Sequence, residues 1–228
     1  GYIPMTIILG LDQYFFNEVW DPVSCDHDFA ERIANHGISF KPNPTKILQD
    51  AFKGKIRVGK LIISKNIGIN ARMNKNGFRS DGTYYYGGLI ENGISFDKDF
   101  NDTYSRICNG DRRFEFSDHI NPKAIEEFRK VAFFCGKNDI LLLSFLPPYA
   151  PSVWKKMEET GKYRYIGEIY SALQASLSGV NNQYVFDLSC MADSNDTDFF
   201  DGFHGNASIY TKIARIMNEE ARQKTRIH

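Results

Sequence analysis

The sequence has no excess of charge of either sign. Its 28 basic residues balance 28 acidic ones, so the formal net charge is zero. A neutral chain lacks the broad basic field that attracts the phosphates of nucleic acids or the surface of an anionic membrane. We therefore expect no nucleic acid among its partners.

Cysteine is scarce and its positions are far apart. The four cysteines are Cys25, Cys108, Cys135 and Cys190. This spacing matches neither a zinc site nor a dense disulfide framework. Two short stretches place Asp beside His, Cys25–Asp28 and Ser117–Ile120, but neither has the partner spacing of a metal site. We predict no metal and no other cofactor.

Long apolar runs and glycine-rich phosphate loops are also missing. No apolar run has the length of a membrane span, so we expect none in this chain. No glycine-rich loop follows a strand, which argues against a phosphate- or nucleotide-binding protein. The chain instead enters an apolar strand at once, in YIPMTIILGLD. We expect it to begin inside a domain, with further elements and any export signal upstream of residue 1.

Three short apolar runs predict β-strands. They are Met5–Leu11, Ile140–Leu146 and Tyr184–Leu188. Their apolar character is continuous rather than alternating, which is typical of strands in a parallel sheet that helices cover on both faces.

Helical patterns lie between and after these strands. Asn121 followed by Pro122 predicts the start of one helix, and Gly136 predicts its left-handed end. A second helix is predicted over Tyr163–Ser178, and Asn206 is predicted to cap the last one. The predicted buried stripes are Ile125, Phe128, Ala132 and Cys135 in the first helix, Ile166, Ile169, Tyr170, Leu173 and Leu177 in the second, and Ile209, Ile213, Ile216 and Met217 in the last.

This order of elements predicts an α/β fold with a mainly parallel sheet. We expect one domain over residues 1–228, with residues 17–120 as an insertion or lid after the first strand. A helical piece, Pro44–Phe52, is predicted inside that insertion. The stretch with Arg79, Asp81 and Tyr84–Tyr86 is either a sugar-stacking surface or a strand or turn whose aromatic rings pack inward.

The stretch TDFFDGFHGNAS contains the clearest chemical signal. Asp201 and His204 are three positions apart in a loop before the last helix. A neutral imidazole can accept a proton from a hydroxyl group, and a carboxylate can fix its tautomer and stabilise the imidazolium. Gly202 and Gly205 permit a tight path. The same pattern also occurs where Asp and His only form loop hydrogen bonds, and that alternative stays open.

Ligands of open α/β sheets bind outside the carboxyl ends of the strands. Here those ends are Gly10–Asn17, the turn PPYAP that contains Tyr149, and the loop of Asp201 and His204. All three can converge on one crevice, in which Tyr149 would either form a wall or only pack.

Taken together, Gly10–Asn17 (GLDQYFFN), Leu146–Tyr149 (LPPY) and Asp201–His204 (DGFH) resemble motifs of the SGNH (GDSL-type) hydrolase family. The similarity is closest to SGNH-like proteins encoded in bacterial surface-polysaccharide clusters. It implies a flavodoxin-like three-layer sandwich and a Ser-His-Asp triad, in which Asp201 is the acid and His204 the base.

The resemblance also raises a question about the oxyanion hole and the nucleophile. In the family, the block that Gly10–Gln13 matches carries an oxyanion-stabilising Asn, whereas this chain has Asp12. A carboxylate would repel the developing oxyanion, so Gln13 is the alternative donor, and Asp12 would then cap the next turn. The family's serine lies upstream of this block, so the resemblance implies a nucleophile before residue 1.

The implied function is an esterase or O-acyltransferase that acts on an acylated carbohydrate. The implied location is extracytoplasmic or periplasmic, with an anchor in the upstream segment. The alternative is a catalytically inactive α/β module that binds a glycan or a partner during polysaccharide export, and Asp12 favours it.

Overall fold

The computed structural model describes residues 4–20, 52–53, 76–78, 84–86, 97 and 99–225. Within these residues the strands are β1 (Thr6–Gly10), β2 (Asn76–Phe78), β3 (Tyr84–Tyr86), β4 (Leu141–Leu146) and β5 (Gln183–Asp187). The α-helices are α1 (Asn101–Asn109), α2 (Pro122–Lys137), α3 (Pro151–Thr160), α4 (Tyr165–Ser176) and α5 (Ala207–Thr225). Short 3-10 helices cover Gln13–Phe16 and Asp196–Asp198.

The chain divides into two compact units. One consists of Gly1–Cys25 together with Phe96–His228, and the other of Asp26–Ser95. The second unit lies within the segment predicted as an insertion. Its described part includes β2 and β3, which pair antiparallel. The predicted helix Pro44–Phe52 lies, except for Phe52, outside the described residues.

A three-stranded parallel sheet forms the centre of the first unit. Its order is β1-β4-β5, with Ile8 opposite Leu143 and Ser144 opposite Val185. The predicted α/β fold is confirmed, and all three predicted strands form within a residue or two of their expected ends. The middle strand β4 is almost completely buried, because it has a neighbour on either side. In β1, by contrast, Ile8 is 61% exposed. The flavodoxin-like arrangement stays a prediction.

Helix α2 begins as its sequence predicts. The Asn121 side chain accepts a hydrogen bond from the Lys123 amide at 3.0 Å, and Pro122 takes the first helical position, where no amide is needed. Phe128, Ala132 and Cys135 are buried, and Ile125 packs against them at the margin of the core.

The predicted end of α2 is wrong. Gly136 lies inside the helix, which continues to Lys137, and the left-handed residue that follows is Asp139 with φ 54°. The glycine serves close packing instead, because a Cβ at Gly136 would lie 2.8 Å from Cγ1 of Val180.

Helices α4 and α5 also bury their predicted stripes. The buried residues are Ile166, Ile169 and Leu173 in α4, Leu177 just beyond its end, and Ile209, Ile213 and Met217 in α5. Tyr170 is the exception, since it is 38% exposed. The Asn206 side chain accepts from the Ser208 amide at 2.8 Å, so the predicted cap of the last helix is confirmed.

The sequence pattern predicts no helix at α1, although this helix contacts the loop of Asp201. It follows Phe100, a buried residue with φ 56°, and its inner face carries the buried Thr103 and Ile107. The Asp97 carboxylate accepts from the Thr103 amide at 2.8 Å and so caps the first turn. Helices α1 and α3 pack against each other. None of the helices in the described ranges is long and apolar enough to span a bilayer.

Candidate functional site

The carboxyl ends of β1, β4 and β5 are joined by one buried side chain. Gln13, in the 3-10 helix after β1, is 2% exposed. Its Nε2 donates to the carbonyl oxygen of Pro147, after β4, at 2.7 Å and to Oγ of Ser189, after β5, at 2.9 Å. Both amide hydrogens are therefore engaged in holding this edge of the sheet together.

Asp201 and His204 form a hydrogen-bonded pair. Oδ2 of Asp201 lies 2.6 Å from Nδ1 of His204, while Oδ1 accepts from the His204 amide at 2.9 Å and from the Phe203 amide at 3.3 Å. The Asp201 side chain is 12% exposed and the His204 side chain 56%. The carboxylate is thus fixed from within the loop, and the imidazole extends to the surface.

This contact assigns a tautomer to His204. A carboxylate only accepts hydrogen bonds, so Nδ1 carries the hydrogen of the neutral ring and Nε2 keeps a lone pair. No hydrogen bond to Nε2 is formed by any residue in the described part of the chain. The free lone pair is the feature that a general base requires.

Hydrogen bonds from α1 and from the residue before α3 hold the loop that carries Asp201 and His204. Thr103 of α1 donates its hydroxyl hydrogen to the carbonyl oxygen of Asp201 at 2.7 Å. The Ala150 amide, just before α3, donates to the carbonyl oxygen of Gly202 at 2.8 Å. The loop closes on itself where the Phe200 amide donates to the carbonyl oxygen of His204 at 2.9 Å.

Glycine is required at position 202 for two reasons. Its φ of 87° lies in the left-handed region, and an added Cβ would lie 2.6 Å from Cγ2 of Val153. Gly205 also permits a close approach, since a Cβ there would lie 2.7 Å from Cγ2 of Ile209. The path that turns Asp201 toward His204 therefore depends on these glycines.

Aromatic rings connect the histidine to the strand ends. The Phe203 ring lies 4.4 Å from the His204 ring, and Phe114 lies 5.7 Å from Phe203 and 6.2 Å from Tyr149, measured between centroids. Tyr149 is only 6% exposed, and this burial raises the pKa of its phenol well above the usual value. Of the two readings of Tyr149, the structure favours packing, since the side chain is part of the core.

Asp12 stands immediately before the 3-10 helix, and its side chain caps none of the helix amides. Burial, together with the nearby Asp12 carboxylate, raises the pKa of Tyr14 to about 12. Gly10 ends β1 opposite Phe145, and an added Cβ would lie 3.4 Å from the ring of that residue. Asp12 and Gly10 thus lie at the carboxyl edge beside Gln13.

Within the described chain, three serines are the alternatives to a nucleophile upstream of residue 1. Ser144 is fully buried in β4, Ser189 accepts from Gln13, and Ser117 donates to the carbonyl oxygen of His119. In the described ranges no serine hydroxyl is hydrogen bonded to the His204 ring.

The remaining candidates lie partly outside the described residues. Within the residues that the structure describes, no group of three His, Cys, Asp or Glu is arranged to hold a metal ion. Cys25–Asp28, Arg79 and Asp81 lie outside the described residues, while Tyr84–Tyr86 form β3.

Sequence analysis missed three residues that shape this site. Thr103 fixes the Asp201 loop, Phe114 joins its aromatic wall, and Arg113 stacks on Tyr14 with its guanidinium carbon 5.2 Å from the ring centroid. Two of them, Arg113 and Phe114, lie in the charged and aromatic stretch DRRFEF, which is the only signal that the sequence offers for them.

No protein-family model, curated protein or solved structure matches the chain. The resemblance to the SGNH family accordingly stays a prediction.

Proposed function

We propose that the protein is an SGNH-like esterase or O-acyltransferase that acts on an acylated carbohydrate. The observation that supports this most directly is the 2.6 Å contact between Oδ2 of Asp201 and Nδ1 of His204, whose side chain is 56% exposed. A buried carboxylate behind an exposed imidazole is the acid–base half of a hydrolytic triad.

The proposed reaction uses a serine nucleophile, which the family resemblance implies upstream of Gly1. Nε2 of His204 accepts the proton of its hydroxyl as the oxygen attacks the ester carbonyl. The imidazolium then gives this proton to the departing sugar oxygen, which leaves an acyl-serine. Attack by water on the acyl group gives hydrolysis, and attack by a second sugar hydroxyl gives transfer. Asp201 stabilises the imidazolium in both halves of the reaction.

Neither Gln13 nor Asp12 has a free side-chain N–H that could serve as the oxyanion donor. The Gln13 amide hydrogens already bind Pro147 and Ser189, so Gln13 would have to give up a structural bond to act as donor. Asp12 has no N–H in its side chain and would oppose the negative charge. Further donors would come from backbone amides near the incoming serine.

The engaged amide of Gln13 and the carboxylate of Asp12 favour a second candidate function. A catalytically inactive module would keep the crevice as a binding site for a glycan or a partner protein, and would tolerate a carboxylate at position 12. In that case the Asp201–His204 pair would only stabilise the loop before α5.

An esterase assay on a small acetyl ester separates the two candidates. It compares this chain, the chain extended upstream to include a serine-containing turn, and the extended chain with His204→Ala. Activity only in the extended chain with His204 intact supports the triad. If the folded extended chain is inactive on acetyl esters of both phenols and sugars, the binding module is supported instead.

A further inference from the structure

The turn between α1 and α2 holds two arginines in an unusual backbone conformation. Arg112 has φ 49° and Arg113 has φ 80°, both in the left-handed region. The Phe114 amide donates to the carbonyl oxygen of Asp111 at 3.0 Å and closes a two-residue turn of the kind that Asn-Gly favours. Side chains with a Cβ strain such a turn, and strain of this kind is concentrated at functional sites.

The side chain of Arg112 has structural partners that account for it. Its guanidinium lies 3.1 Å from the carboxylate of Asp102 and 3.4 Å from that of Asp111. These ion pairs connect the turn to α1, so Arg112 stabilises the fold around it.

Arg113 has no comparable partner. In the part of the chain that the structure describes, no carboxylate forms an ion pair with its guanidinium, which lies over the Tyr14 ring. Its backbone amide donates to Glu115 at 3.2 Å, so the main chain is held as well. The guanidinium contacts the ring as a cation, and no described residue accepts from its N–H groups, which can therefore bind a carboxylate or phosphate in bidentate fashion.

The position of Arg113 connects it to the candidate site. Tyr14 follows Gln13, the residue that joins the three strand ends. On the other side, Phe114 contacts Phe203, the neighbour of the candidate base. The charged turn is therefore linked to the loop of the Asp–His pair through the contact between Phe114 and Phe203.

An aromatic surface adjoins the guanidinium. The Tyr14 ring lies 4.5 Å from that of Phe15, and Trp20 meets the two rings edge-on at 4.9 and 5.0 Å. Phe15 is 45% exposed although it is large and apolar. An exposed ring beside a fixed positive charge suits a sugar that carries a negative substituent.

We propose that Arg113, supported by Tyr14, binds the carboxylate or phosphate group of an acidic sugar whose ring lies against Phe15. The carbohydrate part of this inference rests on the proposed function, and the inference narrows the substrate class from any acylated carbohydrate to an acidic one.

Calorimetric titration of this chain with three ligands tests the proposal. A short oligogalacturonate supplies carboxylates, glucose 6-phosphate supplies a phosphate, and a neutral galacto-oligosaccharide supplies neither. We expect one of the acidic ligands to bind and the neutral one to bind at least about 10-fold more weakly, as for the loss of a charge-assisted hydrogen bond. Equal affinity for neutral and acidic sugars, or binding of neither acidic ligand, would overturn the proposal.

Two matched glycine variants separate a binding role from a structural one. Arg113→Gly relieves the backbone strain, so we expect an equal or higher melting temperature together with a ~10–100-fold weaker affinity for the acidic sugar. Arg112→Gly relieves similar strain but removes the two ion pairs, and we expect its affinity to match the parent's. If Arg113→Gly keeps full affinity while folded, the proposal is wrong.

Two further measurements test the sugar ring and the independence from catalysis. Phe15→Ala should weaken binding of the acidic sugar about 2–10-fold. If inorganic phosphate binds as tightly as glucose 6-phosphate, the sugar ring adds nothing to the affinity and its proposed contact with Phe15 is wrong. Calorimetry on this chain measures anion binding and the assay on the extended chain measures the esterase, so the two proposals can fail separately.

Discussion

Nε2 of Gln13 lies 2.7 Å from the carbonyl oxygen of Pro147, so the residue after β1 is hydrogen bonded to the turn after β4. The second hydrogen of the same amide is donated to Ser189, after β5. A single side chain thereby sets the spacing of three loops whose residues are distant in sequence. The relative positions of the loops after β1, β4 and β5 therefore depend on the Gln13 amide.

Replacement of Gln13 should therefore cost stability. Gln13→Ala leaves buried acceptors at Pro147 and Ser189 without a donor, and we expect the free energy of unfolding to fall by about 1–3 kcal/mol in urea denaturation. Gln174 offers a matched control, because its amide also donates to two acceptors but the residue is exposed. Gln174→Ala should change stability by less than about 0.5 kcal/mol. Equal losses in both variants would contradict this role.

The Asp201–His204 contact predicts a specific tautomer that NMR can observe in this chain. In the parent, the long-range ¹⁵N–¹H spectrum should show His204 with its hydrogen on Nδ1. Asp201→Asn removes the anionic acceptor, and we expect the Nε2-H form to increase. An unchanged tautomer in the folded variant would show that the carboxylate does not control the ring.

The same substitution has a kinetic consequence if the esterase proposal is right. In the extended, active form, Asp201→Asn should lower kcat by about 10⁴-fold, because the wrong tautomer cannot accept the proton of the nucleophile. Asp118→Asn is the control, since Asp118 is exposed and its nearest ion-pair contact, with Arg164, is 3.8 Å long. Retention of activity in Asp201→Asn would exclude the triad.

Gly202 should tolerate no side chain. Gly202→Ala combines a left-handed backbone with a Cβ at 2.6 Å from Val153, and we expect a loss of about 2–5 kcal/mol in the free energy of unfolding. Gly161 separates the two causes, because its φ is 64° but an added Cβ would meet nothing within 4 Å. Gly161→Ala should cost only about 1–2 kcal/mol. Similar losses at both positions would show that the contact with Val153 is relieved without cost.

Alkaline pH should destabilise the protein through its buried phenols. Burial raises the pKa of Tyr14 to about 12, and it also raises the pKa values of Tyr149, Tyr163 and Tyr165. Above about pH 10 the unfolded chain loses phenol protons that the folded chain retains, so stability is full below pH 10 and falls as pH rises. Urea midpoints measured between pH 9 and 12 should therefore decrease, less steeply in Tyr14→Phe than in the parent. A constant midpoint across this range would contradict the burial of these groups.

The strands and the starts of two helices could be predicted because their causes are local. The three apolar runs became the parallel sheet, and Asn121 with Pro122 began α2, since a cap needs only a side-chain oxygen two residues before the amide it binds. Gly136 shows the limit of this reasoning. A glycine can end a helix in the left-handed conformation, and it can also let another residue approach the backbone closely. At Gly136 the second role applies, because Val180 packs against it in the folded chain.

The candidate pair was also predictable from the sequence, because Asp201 and His204 are three residues apart on one loop. The residues that surround this pair could not be predicted from the sequence. Thr103 lies 98 residues from Asp201, and no pattern near α1 indicates that its hydroxyl holds that loop. Likewise, nothing local places Arg113 over Tyr14.

The sequence by itself determined the fold class, the strands and the pairing of Asp201 with His204, since periodicity, capping and short loops are properties of neighbouring residues. The tertiary structure alone decided which side chains support that pair and which remain available to a ligand. Gln13 was a possible donor in the sequence, and the positions of Pro147 and Ser189 turned it into a structural bond. Arg113 became a candidate binding residue because Tyr14 lies beneath it while Asp102 and Asp111 are taken by Arg112.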